Sequence, residues 1–285
     1  MKQSISVICL LFCFNFCYGQ RLKTPTLSPF SKISQQVGLT NVTLEYSRPS
    51  AKGRVVFGEL VPYNKVWRTG ANAATKITFR EVAKIGGKTI QPGEYAIYTI
   101  PSENRWVIII HSNTSLRSIA GGAYKASNDV FRFEIVPKKT NYVETFTCQF
   151  SQVKTNALML DIVWENTLIS IPIEVEVDKK IESQMLHFMK TPDNIPHRTY
   201  FEAAQYYSNN NKDLNDALSF IDSALDKSPE NFRYGLLKAK ILAKMNNYED
   251  ALIVIEISNT WAKNKRNANY IEQTRLFWNS LLTKK

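Results

Sequence analysis

The sequence predicts an all-β antiparallel domain, sandwich- or barrel-like, followed by an all-α domain of tetratricopeptide-like helical repeats. Three observations support this fold class. Apolar and polar residues alternate with the period of a strand from Val42 to Val177. Helical spacing replaces that alternation after Asp178, and the last third of the chain contains an internal repeat. A chain of 285 residues is also long enough for two domains.

Residues 1–19 are predicted to form a signal peptide. Lys2 supplies a basic start, Ile5 to Phe16 is nearly all apolar, and Cys17-Tyr18-Gly19 resembles a cleavage site after Gly19. The alternative, a lipid anchor on Cys17, stays open. The apolar run is too short to span a bilayer. The mature chain is therefore predicted to be exported, periplasmic or extracellular, without a transmembrane segment.

Residues 20–177 are predicted to form the β domain. The expected strands are, in order, Val42–Ser47, Thr75–Phe79, Tyr95–Ile100, Trp106–Ile110, Val130–Val136, Val143–Phe150, Leu158–Trp164 and Ile169–Val177. Turn signals such as Gly86-Gly87 separate several of them. No long helical pattern intervenes, which disfavours a parallel sheet. Pro172 within the last strand indicates an edge or a bulge.

Residues 178–197 are predicted to be a helix and a linker, and residues 198–285 the helical repeats. Asp216-Ala217-Leu218 recurs as Asp250-Ala251-Leu252, and the shift between the two copies equals the period of the tetratricopeptide repeat. Residues 270–282 would form the capping helix that the end of a solenoid requires. This region is predicted to dock a protein partner.

Composition excludes several functions. The net charge is +11, but Lys and Arg are spread along the chain, so no nucleic-acid partner is predicted. Cys148 is the lone cysteine after the signal, and no two His residues have metal-ligand spacing, so no metal site is predicted. Nucleotide-binding, nucleophile-elbow and zinc-protease motifs are absent. No cofactor and no catalytic residue are therefore assigned.

The stretch Trp67-Arg-Thr-Gly-Ala-Asn72 is the candidate ligand site, together with Tyr63 and His111. Trp67 and Tyr63 offer flat faces on which sugars or cations can stack. Arg68 offers planar donors suited to a carboxylate or phosphate. Asn72 both donates and accepts. His111 ends a strand at the sheet rim, either as a functional group or simply bonded to backbone.

A purely structural interpretation of the same stretch remains open. In it Trp67 packs into the sandwich, Arg68 pairs with a carboxylate such as Glu45 or Glu59, and Asn72 caps a turn. An open pocket lined by the motif would instead favour ligand binding.

The run from Tyr46 to Thr75, which contains this motif, resembles the domain-of-unknown-function 2911 family. The similarity continues through Gly86-Gly87-Lys88, Pro92-Gly93-Glu94-Tyr95 and Gly122-Ala123-Tyr124, while residues 112–120 depart from the family pattern. The resemblance implies a β-sandwich-like domain of an exported protein, typical of Bacteroidota, sometimes with an appended helical repeat. It implies no activity.

Three functions remain. The first is a non-catalytic envelope binding protein, whose β domain holds a glycan or small anionic ligand near the motif. The second is a structural or assembly protein without a ligand site. The third is a glycan-acting enzyme whose carboxylates the sequence does not identify. A pocket with His111 or Tyr98 nearby would favour the first.

Overall fold

The computed structural model describes Leu22, residues 24–188, Lys190 and residues 194–283. The predicted signal peptide, residues 1–19, and residues 191–193 of the predicted linker lie outside the described residues. The chain divides into two compact units, Met1–Val177 and Asp178–Lys285.

The first unit is an antiparallel β domain, and the second is helical, so the predicted fold class is confirmed. The described strands are β1 Phe30–Val37, β2 Thr40–Ser47, β3 Thr75–Phe79, β4 Ala83–Ile85, β5 Lys88–Ile90, β6 Gly93–Ile100, β7 Trp106–His111, β8 Asp129–Ile135, β9 Lys138–Ser151 and β10 Ala157–Val175. They form one sheet of order β1-β2-β3-β6-β7-β8 and a second of order β5-β4-β10-β9.

The two sheets bury their facing sides against each other. Alternate residues of β3 are buried, as expected for a strand with one face toward a core. Tyr46 of β2 donates a hydrogen bond of 2.8 Å to the carbonyl of Cys148 in β9. Its ring lies edge-on to Phe146 at 5.9 Å. These contacts join opposite sheets, which is the arrangement of a sandwich.

Two predicted strands are one in the structure. Residues 158–164 and 169–177 were expected as separate strands, but β10 runs without a break from Ala157 to Val175. The pairing with β9 shifts register at Glu165, whose φ of 47° is typical of a bulge. Pro172 lies beyond the last residue paired with β9, Leu168, so its missing N–H removes no bond from that ladder.

The second unit contains the described helices α1 Asp178–Phe188, α2 His197–Asn209, α3 Leu214–Lys227, α4 Phe232–Lys244, α5 Tyr248–Asn264 and α6 Ala268–Leu282. Four of these helices begin at an Asp or Asn whose side chain accepts a backbone N–H of the first turn. The capping residues are Asp213, Asn231, Asn247 and Asn267.

The internal sequence repeat has a structural counterpart. Ala217 and Ile221 of α3 are fully buried, and so are Ala251 and Ile255, the equivalent residues of α5. Small alanines allow neighbouring helices to approach closely, while the isoleucines fill the space between them.

No helix among the described residues has the length and apolar character needed to cross a membrane.

Candidate functional site

The Trp67–Asn72 segment is tied to the large sheet by a bridge to β6. Trp67 and Thr99 exchange backbone hydrogen bonds of 2.7 and 2.9 Å. The buried Thr69 hydroxyl donates to the Thr99 hydroxyl at 3.1 Å. Gly70 has a φ of 142°, and an added Cβ would lie 3.2 Å from the Ser47 carbonyl oxygen. A side chain at this position would therefore be strained, which explains the glycine.

Trp67 packs in an aromatic cluster between the two sheets. Its ring is stacked on Trp164 at 6.0 Å and 21°. It lies edge-on to Phe146 at 5.4 Å, Phe57 at 6.1 Å and Trp106 at 6.3 Å. Its indole N–H donates to the Gly70 carbonyl at 3.2 Å. Most of the Trp67 side chain therefore packs against aromatic neighbours between the sheets, as the structural interpretation expects.

Asn72 also has a structural role. Its φ of 61° lies in the left-handed region, which Asn tolerates better than most residues. Its side-chain amide donates to the Ser28 carbonyl and to the Ser47 hydroxyl, each at 3.2 Å. Asn72 therefore joins the turn to the segment preceding β1 and to the end of β2.

Tyr63 and His111 lie outside the cleft described below. The Tyr63 ring covers Gly58, where an added Cβ would lie 3.1 Å from it. His111 is fully buried, and its ring nitrogens lie 3.2 Å from the Lys125 carbonyl and 3.1 Å from the Asn113 backbone N–H. Nε2–H then donates to Lys125 and Nδ1 accepts from Asn113, which is the backbone-bonded alternative for this histidine.

A partly open cleft of about 460 Å³ lies beside the motif. Trp67 and Trp164 form aromatic parts of its wall, and Leu27 and Leu60 are exposed apolar residues that also line it. The cationic residues of the lining are Lys52, Arg54, Lys65 and Arg68. Among the residues described as lining the cleft there is no Asp or Glu.

None of these four cations makes an ion pair in the described part of the chain, although the charges of Arg54 and Lys52 act on the nearby Glu144. The described residues place no carboxylate in ion-pair contact with any of them. Arg54 donates to the carbonyls of Ala51 and Ser50 at 2.7 and 2.8 Å. The nearby Glu144 accepts the backbone N–H of Lys52 at 2.7 Å, a bond that lowers the pKa of this carboxyl. The cleft is therefore a concentration of positive charge.

Among the residues of the motif, Arg68 departs most from the structural interpretation, in which it forms an ion pair with a carboxylate. Glu45, one of its predicted partners, pairs instead with Lys32 at 2.6 Å and Lys76 at 3.7 Å. The Nε of Arg68 is buried and has no hydrogen-bond partner among the described residues. An unpaired buried donor of this kind costs about 1–3 kcal/mol. The structural interpretation offered an ion pair of Arg68 with a carboxylate such as Glu45 or Glu59. The described residues show no such pair, and Arg68 instead lines the cleft.

The sequence analysis proposed Trp67 and Arg68 as site residues but did not include the other cations of the cleft. Lys52, Arg54 and Lys65 precede Arg68 in one short stretch of the sequence, and this local excess of positive charge was the available signal.

In the part of the chain that the structure describes, no cluster of His, Cys, Asp and Glu could hold a metal ion.

The fold and cleft define a class: a two-sheet antiparallel β domain with a basic cleft, carried on a chain that continues into helical hairpins. Residues 28–173, about half of the chain, match the family described as "Protein of unknown function (DUF2911)". The chain belongs to this family, as its sequence motifs predicted.

No curated protein matches the chain. Among solved structures, the "TPR2B-domain:pHsp70-complex of yeast Sti1" is similar, with a TM-score of 0.33 and 15% sequence identity. The similarity covers 37% of this chain and 82% of that one. At this TM-score it supports no functional assignment.

Proposed function

We propose that this chain is an exported, non-catalytic envelope protein whose β domain binds an anionic ligand in the cleft beside Trp67. The observation that carries the proposal is the buried, unpartnered Nε of Arg68 in a wall that has four cations and no described carboxylate. Buried donors are normally hydrogen-bonded, so an unpaired one at a cleft indicates a missing partner. A ligand oxygen with negative charge would supply it.

The lining also indicates the ligand's chemistry. Arg68 presents a planar fork that matches a phosphate or carboxylate, while the lysines act as point charges. Trp67, Leu27 and Leu60 offer apolar surface next to those charges. The cleft volume of about 460 Å³ suits a ligand of monosaccharide size. A phosphorylated or carboxylated sugar of the cell envelope has both properties.

The alternatives have less support in this cleft. A purely structural role explains Trp67 and Asn72 but leaves the buried Arg68 Nε without a partner among the described residues. A glycosidase mechanism needs two carboxyl groups on either side of the scissile bond. The described lining provides none.

Replacing Arg68 by Gln is expected to weaken binding of glucose 6-phosphate roughly 10- to 100-fold, because a hydrogen bond to a charged group contributes about 1.5–3 kcal/mol. Isothermal titration of the full chain with glucose 6-phosphate, glucuronate and glucose measures this change. Matched ionic strength keeps general screening constant. Uncharged glucose should bind far more weakly than either anion.

Arg80→Gln is the matched control, since Arg80 is exposed at the end of β3 and is not part of the cleft lining. It removes the same charge from a protein with a net charge of +11 and should leave the affinity unchanged. Equal losses in both variants would show non-specific attraction. Failure of the wild-type chain to bind either anion would refute the proposed function.

We also propose that the helical unit is a tetratricopeptide-like array that docks a protein partner. A groove of about 850 Å³ is lined by residues of α2, the α3–α4 turn, the start of α4 and the α5–α6 turn. Phe201, Phe232 and Tyr234 supply aromatic surface, while Arg233 and Lys265 supply positive charge. The lining also contains Glu230 and the ion pair of Arg198 with Glu202. Arg233 lies 5.6 Å from the Tyr270 ring centroid, a cation–π distance that holds the guanidinium at the groove. These features suit an extended peptide with an acidic side chain.

For this groove, Arg233→Gln is expected to reduce the affinity of acidic peptides selected by display on the full chain by about tenfold. Fluorescence anisotropy with a selected peptide measures the loss. Arg275→Gln on α6 is the control, because Arg275 pairs with Glu272 outside this groove. If selection yields no peptide whose binding depends on Arg233, the groove is not the docking surface.

A further inference from the structure

The bridge between Trp67 and Thr99 places two other residues side by side. Because the pairing is antiparallel, Arg68 lies opposite Tyr98 of β6. Directly opposed residues of antiparallel strands have Cβ atoms about 4.5–5.5 Å apart. Side chains alternate along a strand, so Arg68 and Tyr98 lie on the face opposite to the aromatic cluster around Trp67.

Both members of this pair carry a buried polar atom without a partner. The described residues include three side-chain atoms of this kind, and two of them are the Arg68 Nε and the Tyr98 hydroxyl. Tyr98 is completely buried. Buried tyrosine hydroxyls usually find a hydrogen-bond partner. Each of these two donors, which lie on cross-strand neighbours, therefore lacks an acceptor, and one acceptor placed between them could serve both.

The rings around Tyr98 do not provide that acceptor. His111 lies edge-on to the Tyr98 ring at 5.1 Å, but both its nitrogens are engaged by backbone groups of residues 113 and 125. The Tyr124 ring lies 5.2 Å from Tyr98, and its hydroxyl donates to Asp129 at 2.7 Å. These contacts fix the Tyr98 ring without satisfying its hydroxyl.

The residues around Tyr98 also border the basic cleft. Val66 and Ile119 both line the cleft, and both pack against the buried group that contains Tyr98. Burial raises the pKa of Tyr98, and the charge of Arg68 lowers it only in part. Tyr98 therefore keeps its proton at neutral pH and remains a hydrogen-bond donor.

We propose that Tyr98 is a second ligand-binding donor of the basic cleft and that one anionic oxygen group accepts from both the Tyr98 hydroxyl and the Arg68 Nε. This inference rests on the proposed function of the cleft. Tyr98 is buried behind Val66 and Ile119, which line the cleft, so the ligand group must pass between these two side chains to reach its hydroxyl. The two donors form an inner subsite for the phosphate or carboxylate group, while Lys52, Arg54 and Lys65 lie around the rest of the ligand. Tyr98 is thus assigned a role in selecting a compact oxyanion.

The test is Tyr98→Phe in the full chain, which removes the hydroxyl and keeps the ring. The free variant is expected to melt at the wild-type temperature or above it, because an unpaired buried hydroxyl is removed. Its dissociation constant for glucose 6-phosphate should rise by about tenfold, since a hydrogen bond to a charged group is lost. Isothermal titration and thermal unfolding measure the two quantities.

Tyr95→Phe is the matched control on the same strand. The Tyr95 hydroxyl donates to the Gln91 carbonyl at 3.1 Å, so its removal should leave affinity unchanged and slightly lower the melting temperature. Unchanged affinity in Tyr98→Phe, with weaker binding in Arg68→Gln, would overturn the role of Tyr98 alone. Marked destabilisation of free Tyr98→Phe would also overturn it, because the hydroxyl would then have an internal partner. Absence of binding to the wild-type chain would overturn both proposals.

Discussion

Replacing Trp67 by Ala is expected to lower the free energy of unfolding of the β domain by about 3 kcal/mol, the lower end of the usual cost of removing a large aromatic side chain from a core, because Trp67 is only partly buried. Trp67 lies at the centre of the inter-sheet cluster, in contact with Phe57, Trp106, Phe146 and Trp164. Its loss leaves a cavity between two sheets whose strands cannot easily move together.

Urea unfolding of the full chain, followed by near-ultraviolet circular dichroism, measures this loss, because closely packed indoles contribute strongly to that signal. Trp278→Ala provides the comparison. Trp278 lies on α6 and is 37% exposed, so its removal should cost much less. If Trp67→Ala and Trp278→Ala unfold at similar urea concentrations, Trp67 is not a core residue.

Replacing Gly86 by Ala is expected to destabilise the β domain by about 2–5 kcal/mol, the sum of a backbone cost and a packing cost. Gly86 has a φ of 58°, which costs roughly 1–2 kcal/mol for a residue with a Cβ. An added Cβ would also lie 2.3 Å from the Phe133 ring, and overpacking of this kind costs about 1–3 kcal/mol. The ring must move, and it belongs to β8 of the other sheet.

Gly87→Ala separates the two contributions. Gly87 follows in the same turn, with a φ of 77°, but has nothing within 4 Å of an added Cβ. It should therefore show only the backbone cost, about 1–2 kcal/mol. Thermal unfolding of both variants gives the difference. Equal losses would mean that Phe133 does not pack against this turn.

The fold was largely predictable from the alternation of apolar and polar residues. Residues 75–79 form the predicted strand because every second side chain is buried. The alternation in Phe30–Val37 was missed, since this strand pairs only with β2 and most of its residues remain partly exposed. The short strands on either side of Gly86-Gly87 contain too few residues to show a period. At Glu165 a bulge interrupts the alternation, and the sequence there indicated a break rather than a continuous strand.

The candidate site was predictable only in part. Trp67 and Arg68, two of the predicted site residues, line the cleft, whereas Tyr63, Asn72 and His111 do not. Its residues divide between two roles, because adjacent side chains of an extended segment point in opposite directions. Trp67 therefore packs inward while Arg68 does not. The partnership of Arg68 with Tyr98 depends on the Trp67–Thr99 bridge, which joins two distant parts of the sequence and which no local pattern reveals.

His111, which the sequence analysis proposed as a ligand-binding residue, lies near Tyr98 but binds backbone groups. His111 lies on the face of the sheet that carries Tyr98. Its pairing partner is Ala96, which lies two residues before Tyr98 on that same face of β6. Its nitrogens bind backbone, so it supports the neighbouring ring rather than a ligand. Residues 112–120 include Leu116 and Ile119, which pack against the Tyr98 group. We expect ligand preference within the family to vary with this segment.

The most direct test of the central claim is the NMR signal of the Arg68 Nε–H, assigned by its absence in the Arg68→Gln variant. In the free protein this donor has no partner among the described residues. We expect saturating glucose 6-phosphate to shift its proton resonance downfield and to slow its exchange with water, as a charge-assisted hydrogen bond would. A resonance that stays in place while the ligand is bound would contradict the account, because the anion would then lie elsewhere.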